Sequence, residues 1–419
     1  MPRLRYLLKD KNFSFLWVSQ IISNFGDRLN QMALIGLIYA RTPGSTIELA
    51  KLLSFTVIPV FIVGPIAGIY VDRWNRKYTM ITCDLLRGLL VLFIPFVVTY
   101  SSTMLPIYIL VFIIFSVTRF FLPSKLSIIP DIVHKDNLLL ANSLTSTTMM
   151  IATIIGFGFG GILVGLLGPK GGFYVDSATY FISASMVSFV TLKLKDMTKI
   201  QKSDEKLSVV IKKTVLQDIK EGLLYLKNHK DIRMVGNTMF LLMAGIGAIY
   251  VVVIVFVQQA LQSSTEHLGL LAMFLGSGLF LGALAYCRFG NRIPRKYVID
   301  LCLCIAGSLI VVFSIGLRFW PSFFIAAIVS VVLGIFSAPI VISSNTLLHE
   351  VMAEDMRGRI FSSIDVIVHI AFLVFMVLTS LIGERINKGL LLAIIGLIFS
   401  VIGLSKFMRR ALKKELRKI

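Results

Sequence analysis

About twelve apolar runs, each of about 20 residues or more, fill most of this 419-residue chain, and few folds can accommodate that pattern. They fall at roughly 13–40, 46–71, 78–101, 104–123, 141–168 and 173–192, and again at roughly 232–259, 265–287, 297–317, 320–341, 360–383 and 388–405. About 20 apolar residues in a helix cover the ~30 Å hydrocarbon layer of a bilayer. In lipid the backbone must satisfy its own hydrogen bonds, so runs of this length imply helices. Composition agrees: 56% of residues are hydrophobic, 15% are charged and mean hydropathy is +0.85. A water-soluble domain has too little interior for so much apolar surface. The fold class expected is an all-α integral membrane protein with about twelve transmembrane helices.

The runs divide six and six around the only long polar stretch, about 193 to 233. The organisation read from this is a six-helix bundle over 1–192, a linker over 193–231, and a second bundle with a basic tail over 232–419. Within the linker, Leu216, Ile219, Leu223 and Leu226 repeat at helical spacing beside Lys220 and Lys227. That pattern fits an amphipathic helix lying on the membrane surface. At the start, Arg3, Arg5, Lys9 and Lys11 precede an apolar stretch too long for the core of a cleaved signal, so a retained first helix is expected.

A net charge of +20 raises nucleic acid as a partner, but the placement of the basic residues argues otherwise. If the amino terminus is cytoplasmic, 34 of the 42 Lys and Arg fall on that side. Six fall opposite (Arg41, Lys51, Lys170, Arg318, Arg385, Lys388), and Arg28 and Arg87 lie within helices. This asymmetry supports the helix count and predicts that both termini are cytoplasmic. The four cysteines, Cys83, Cys287, Cys302 and Cys304, all lie in apolar segments without metal-ligand spacing and read as buried free thiols. Neither a metal nor any other cofactor is expected.

Equivalent loops in the two halves carry related basic turns. After the second run the chain reads Gly68-Ile-Tyr-Val-Asp72-Arg73-Trp-Asn-Arg76-Lys77-Tyr78, and after the eighth Arg288-Phe-Gly290-Asn-Arg292-Ile-Pro-Arg295-Lys296-Tyr297. The first of these, G-x-x-x-D-R-x-x-R-K, closely resembles the signature between helices 2 and 3 of the major facilitator superfamily. Other stretches resemble the branch with macrolide efflux proteins and the enterobactin exporter: Phe15-Leu-Trp17, Ser23-Asn-Phe-Gly26-Asp27, Pro123-Ser-Lys125, Tyr174-Val-Asp176, Asp218-Ile-Lys-Glu221-Gly222 and Arg357-Gly-Arg359-Ile-Phe-Ser362. The resemblance covers nearly the whole chain. It implies a conformational gate of Gly68, Asp72, Arg73, Arg76 and Lys77 with Arg357 and Arg359, in which Asp72 meets the start of helix 11. It also implies a multi-pass protein of the bacterial plasma (inner) membrane. Gly68 is expected at a close helix contact. Two departures stand out. The Gly-rich run Gly156-Phe-Gly158-Phe-Gly160-Gly161 lacks the proline usual in drug antiporters, and Arg119 lies only four residues before Pro123.

Ionisable residues inside a membrane are costly, about 2.5–3.5 kcal/mol at a helix centre on the insertion scale, and mark function by default. Gln20, Asn24, Asp27, Arg28 and Gln31 form a polar stripe on helix 1, expected to line a wet cavity, with Asp27 the better candidate to bind a cation or proton. Its structural alternative is an interhelical ion pair. A weaker stripe in helix 11 holds Ser362, Asp365 and His369. Asp84 and Arg87, three apart in helix 3, read as an intrahelical pair, and Asp176 as a cap at the start of helix 6.

The function expected is secondary active export of a small amphipathic organic compound, drug, macrolide or siderophore-like, by alternating access, with a proton as coupling ion. A lysophospholipid flippase is the alternative, because Ser23-Asn-Phe-Gly26-Asp27 and Pro123-Ser-Lys125 also resemble that branch. An enzyme is not expected, since neither a phosphate-binding loop nor paired carboxylates or histidines at ligand spacing occur. The partners expected are the small-molecule substrate, the coupling ion and the bilayer, with no nucleic acid, and the chain is expected to be a monomer.

Overall fold

The computed structural model describes residues 7–71, 73–191, 230–290, 293–351 and 357–415, and no strand occurs among them. Asp72, the proposed linker helix at 215–226, and the side chains of Arg357 and Arg359 lie outside the described residues. The helices are α1 (Lys11–Arg41), α2 (Thr46–Ile62), α3 (Gly64–Val71), α4 (Arg76–Tyr100), α5 (Leu105–Ile132) and α6 (Leu138–Ser188). After the linker come α7 (Lys230–Ala260), α8 (Glu266–Phe289), α9 (Arg295–Phe319), α10 (Phe323–Val351), α11 (Arg357–Arg385) and α12 (Lys388–Glu415).

Local chemistry sets several boundaries. The Asp10 carboxylate accepts from the backbone N–H groups of Asn12 and Phe13 at 2.9 and 3.1 Å, capping α1. Asn75 does the same for α4, accepting from Lys77 and Tyr78. The run 46–71 is broken at Val63, between Pro59 and Pro65, so one expected span is built from α2 and α3. Conversely, the runs at 141–168 and 173–192 join into the 51-residue α6, broken only at Gly168, where φ is 72°. Pro169 follows as the first residue of the second arm, a position that needs no donor N–H.

Among the described residues nine helices are long and apolar enough to cross a membrane, the α6 region counting as one. Helix α1 is not among them, as expected for a helix carrying Asp27, Arg28 and four buried Ser and Asn side chains. Helix α4 shows how such a helix sits in lipid. Leu85, Leu89, Phe93, Phe96 and Tyr100 are exposed along one face, while Met80, Asp84, Arg87, Val91 and Ile94 are buried on the other. An apolar exterior around a partly charged interior suits a hydrocarbon solvent and is unstable in water.

The chain forms two compact units. The first comprises 1–40 and 51–211, with α4 packed on α5 and α6. The second comprises 41–50 and 212–419 and is built from the pairs α7/α11, α8/α10 and α9/α12. Glycines bring these pairs close: a Cβ on Gly278 or Gly282 would run into the carbonyl oxygens of Val331 and Ile335, and one on Gly307 would stand 2.5 Å from Ser400 N. Within this unit Thr46 Oγ1 donates to Ser380 O, and the Glu384 carboxylate accepts from Ser45 Oγ at 2.7 Å and Ile47 N–H at 3.0 Å.

Two expectations change. Lys125, expected just beyond the run at 104–123, lies inside α5. The close contact expected at Gly68 is not found: among the described residues a Cβ there meets nothing within 4 Å.

Candidate functional site

The densest group of charges in the first unit surrounds α1, and small residues put it there. The two arms of α6 grip that helix. Gly156 and Gly160 lie against Arg28 and Leu29, Gly172 lies against Ala33, and a Cβ on Gly26 would overlap Thr179 and Asp176. This fit sets Asp27 and Asn30 against the second arm of α6, next to the inward face of α4.

There the Arg87 guanidinium, 1% exposed, is held by Asp84 one turn earlier on the same helix, itself 0% exposed. Ser183 Oγ donates to the other Asp84 oxygen at 2.7 Å. Arg87 also lies between two aromatic faces, 4.2 Å from the Phe121 centroid and 4.4 Å from that of Tyr180. Its second carboxylate neighbour is Asp27, 3.8 Å away and 32% exposed. The Tyr180 hydroxyl donates to that same Asp27 oxygen at 2.5 Å. Asp27 is therefore the one member of this ion-pair group that is not buried.

Asp176 is not a cap. It lies inside α6, fully buried, and accepts from Asn30 Nδ2 at 2.6 Å. Lys125, 7% exposed, places its ammonium 3.5 Å from the Met149 thioether and has no carboxylate within ion-pair distance among the described residues. The charges of Asp27, Arg87 and Asp84 all act on it.

The remaining expected residues are divided among several roles. Gln20 and Asn24 are buried, and Asn24 is engaged in helix packing, donating to Met149 O and Thr153 Oγ1. Arg28 donates to Gln31 Oε1 at 3.2 Å and lies over the Phe157 ring. Of the residues expected to form a gate, Arg76 pairs with Asp131 at 2.5 Å and donates to Ser127 O, while Lys77 Nζ donates to Ser188 O. In the second unit Asp365 and His369 are neighbours on α11, with Nδ1 of His369 2.8 Å from Asp365 O and the Asp365 side chain 63% exposed. Among the described residues no group of His, Cys, Asp and Glu could hold a metal ion.

The family model for transmembrane secretion effectors of the major facilitator superfamily matches residues 7–414. The chain belongs to that family. As a secretion effector of this superfamily it is a multi-pass membrane protein and a transporter of small molecules. It is similar to macrolide efflux protein A of Streptococcus pyogenes, with 23% identity over 90% of each chain. The uncharacterized MFS-type transporter YfiS of Bacillus subtilis is 25% identical over 94% of this chain and 92% of the relative. The putative bacilysin exporter BacE of the same organism is 23% identical over 79% of each. Among solved structures, a bacterial homologue of the iron transporter ferroportin superposes with a TM-score of 0.72 at 12% identity, covering 94% of this chain and 98% of the other. A bacterial homologue of the lysosomal transporter Spinster gives 0.64 at 15% identity, covering 95% and 93%. At such identities the likeness concerns the fold.

Asn30, Lys125, Tyr180 and Ser183 were not among the expected neighbours of Asp27 and Arg87. Asn30 continues the helix 1 stripe three residues beyond Asp27, so its signal was present in the spacing. The others lie more than 90 residues from Asp27 along the chain, and no local pattern announces them.

Proposed function

We propose that this protein exports a small amphipathic organic compound by alternating access, and that a proton taken up and released at Asp27 drives it. The observation that carries this reading is the unequal exposure of the three charges. Arg87 and Asp84 are sealed, while Asp27, which is the second neighbour of Arg87, is one-third exposed. When Asp27 is ionised, it attracts Arg87 and accepts the Tyr180 hydroxyl, so α1 is tied to α4 and to α6. A proton on Asp27 removes the charge attraction but leaves Arg87 paired with Asp84. The internal ties of the bundle thus change by one protonation, and the effective dielectric inside the protein makes that change larger than in water. A cationic group of a substrate at Asp27 has the same effect as the proton, and competition between the two couples their movements. Relatives named as exporters of a macrolide and of bacilysin support the direction and the size class of cargo.

The test is transport of a radiolabelled macrolide into everted proteoliposomes with and without an imposed pH gradient. Asp27→Asn is expected to abolish gradient-driven accumulation while retaining exchange of the macrolide down its own gradient. Accumulation by the variant equal to that of wild type would remove Asp27 from the coupling.

A further inference from the structure

At one end of the second unit the starts of α7 and α9 meet the ends of α10 and α12 around a cavity of about 20 Å³, lined by Met234, Thr238, Lys296, Asp300, Ser344 and Arg410 among others. Asp300, 3% exposed, forms an ion pair of 2.9 Å with Arg410. The Ser344 hydroxyl is buried there without a hydrogen-bond partner. The terminal turns of α12 are fixed against α9 at this point. Tyr297 Oη donates to Arg410 O at 3.0 Å, and its ring meets Phe407 edge-on at 5.9 Å.

Positive charge is in excess here. Asp300 is taken by Arg410, and Glu350 by Arg295. Lys296, Lys406 and Arg409 have no carboxylate partner among the described residues. The charge of Lys406 also acts on Asp300, which places it in the same group.

The length of α12 puts that group at a definite depth. Its 28 residues rise about 42 Å at 1.5 Å each, against ~30 Å of hydrocarbon. The last two turns therefore run among lipid headgroups. Along them Leu404, Met408 and Leu412 repeat every four residues and are 49%, 54% and 56% exposed, with Arg409 beside that stripe. An apolar stripe bordered by cations that have no carboxylate partner among the described residues, at headgroup depth, has the two features that hold an acidic phospholipid.

We propose that this end of the second unit is a binding site for an acidic phospholipid. Its phosphate is held by Lys296 and Lys406 at the mouth of the cavity, with Arg409 at the flank, and an acyl chain lies along Leu404, Met408 and Leu412. The cavity has room for about one water, so the headgroup seats at its rim and not inside. The site is independent of Asp27 and of the direction of transport.

The full chain in nanodiscs of phosphatidylcholine, with or without added phosphatidylglycerol, provides the test. A ligand that binds the native state raises its unfolding midpoint. Phosphatidylglycerol is expected to raise the midpoint of wild type and to be retained in native mass spectra. The pair Lys296→Gln with Lys406→Gln is expected to lose both effects while keeping the wild-type midpoint in phosphatidylcholine alone. Lys51→Gln with Lys388→Gln, outside this cluster, should keep both. If the first pair does not fold, Arg409→Gln with Leu412→Ser serves in its place and should weaken lipid retention several-fold. An equal response of wild type and the cluster variants to phosphatidylglycerol overturns the proposal. So does an equal stabilisation by soluble glycerol phosphate, which assigns the site to free phosphate.

Discussion

Arg87 has the largest side chain among those that are almost fully buried, and its environment explains how a guanidinium is retained in a membrane helix. Asp84 neutralises it, Ser183 holds Asp84, and two aromatic faces cover the cation. Breaking such a buried pair from one side leaves the other charge uncompensated, at about 3–5 kcal/mol. Arg87→Ala is therefore expected to lower the thermal midpoint of the purified protein sharply. Replacing both partners, Arg87→Met with Asp84→Leu, is expected to recover most of that loss, because no orphan charge remains. Transport should not recover with it, since Asp27 then faces no guanidinium. Recovery of both would mean that the pair serves packing alone. Lys125 predicts the opposite sign. Its ammonium is buried against a thioether, so Lys125→Met, which keeps the length and removes the charge, is expected to leave the unfolding midpoint unchanged or higher. The same residues show what a sequence can and cannot reveal. The Asp84–Arg87 pair was legible from its spacing of three. Its link to Asp27 was not, because that depends on how α1, α4 and α6 dock. Asp176 reads as a cap from its position and becomes a buried acceptor only once Asn30 is placed opposite it.

Helix pairs in lipid gain little from the hydrophobic effect and depend on close backbone approach, which the glycines of the second unit provide. Gly278 on α8 faces the Val331 carbonyl of α10 with no room for a methyl group, whereas the nearest atom to a Cβ on Gly316 of α9 is 3.9 Å away. Gly278→Ala should force the two helices apart, at about 1–3 kcal/mol. Gly316→Ala should be neutral or stabilising by up to about 1 kcal/mol, through helix propensity alone. Detergent unfolding curves of the two variants, measured together, check the contrast, and equal shifts would show that α8 and α10 can yield. The sequence located most helices because apolar runs and charge-rich turns are local signals. It did not locate how far α5 extends: Pro123 suggested an end, yet the helix continues to Ile132 because α5 continues through Pro123 with Ser124 bonded back to Phe120. Two glycines of the run that lacks the usual proline, Gly156 and Gly160, lie on α1.

At the scale of the whole molecule, the direction of transport depends on which end of each unit faces the cytoplasm. Charge distribution places Arg76, Lys77 and Lys135 inside and Lys170 outside. The first unit separates these residues consistently. Lys170 Nζ reaches Thr99 at the far end of α4, while Lys77, at its start, reaches Ser188 at the end of α6. A single helix length therefore lies between them. With Cys287, the exposed native thiol, replaced by serine, Lys170→Cys is expected to react with a membrane-impermeant maleimide in intact cells. Lys135→Cys should react only after the membrane is opened. The reverse pattern would turn the protein over in the membrane. The buried chemistry at Asp27 and Arg87 would be untouched, but a proton entering from outside would reach Asp27 from the other end, and the expected export would become uptake.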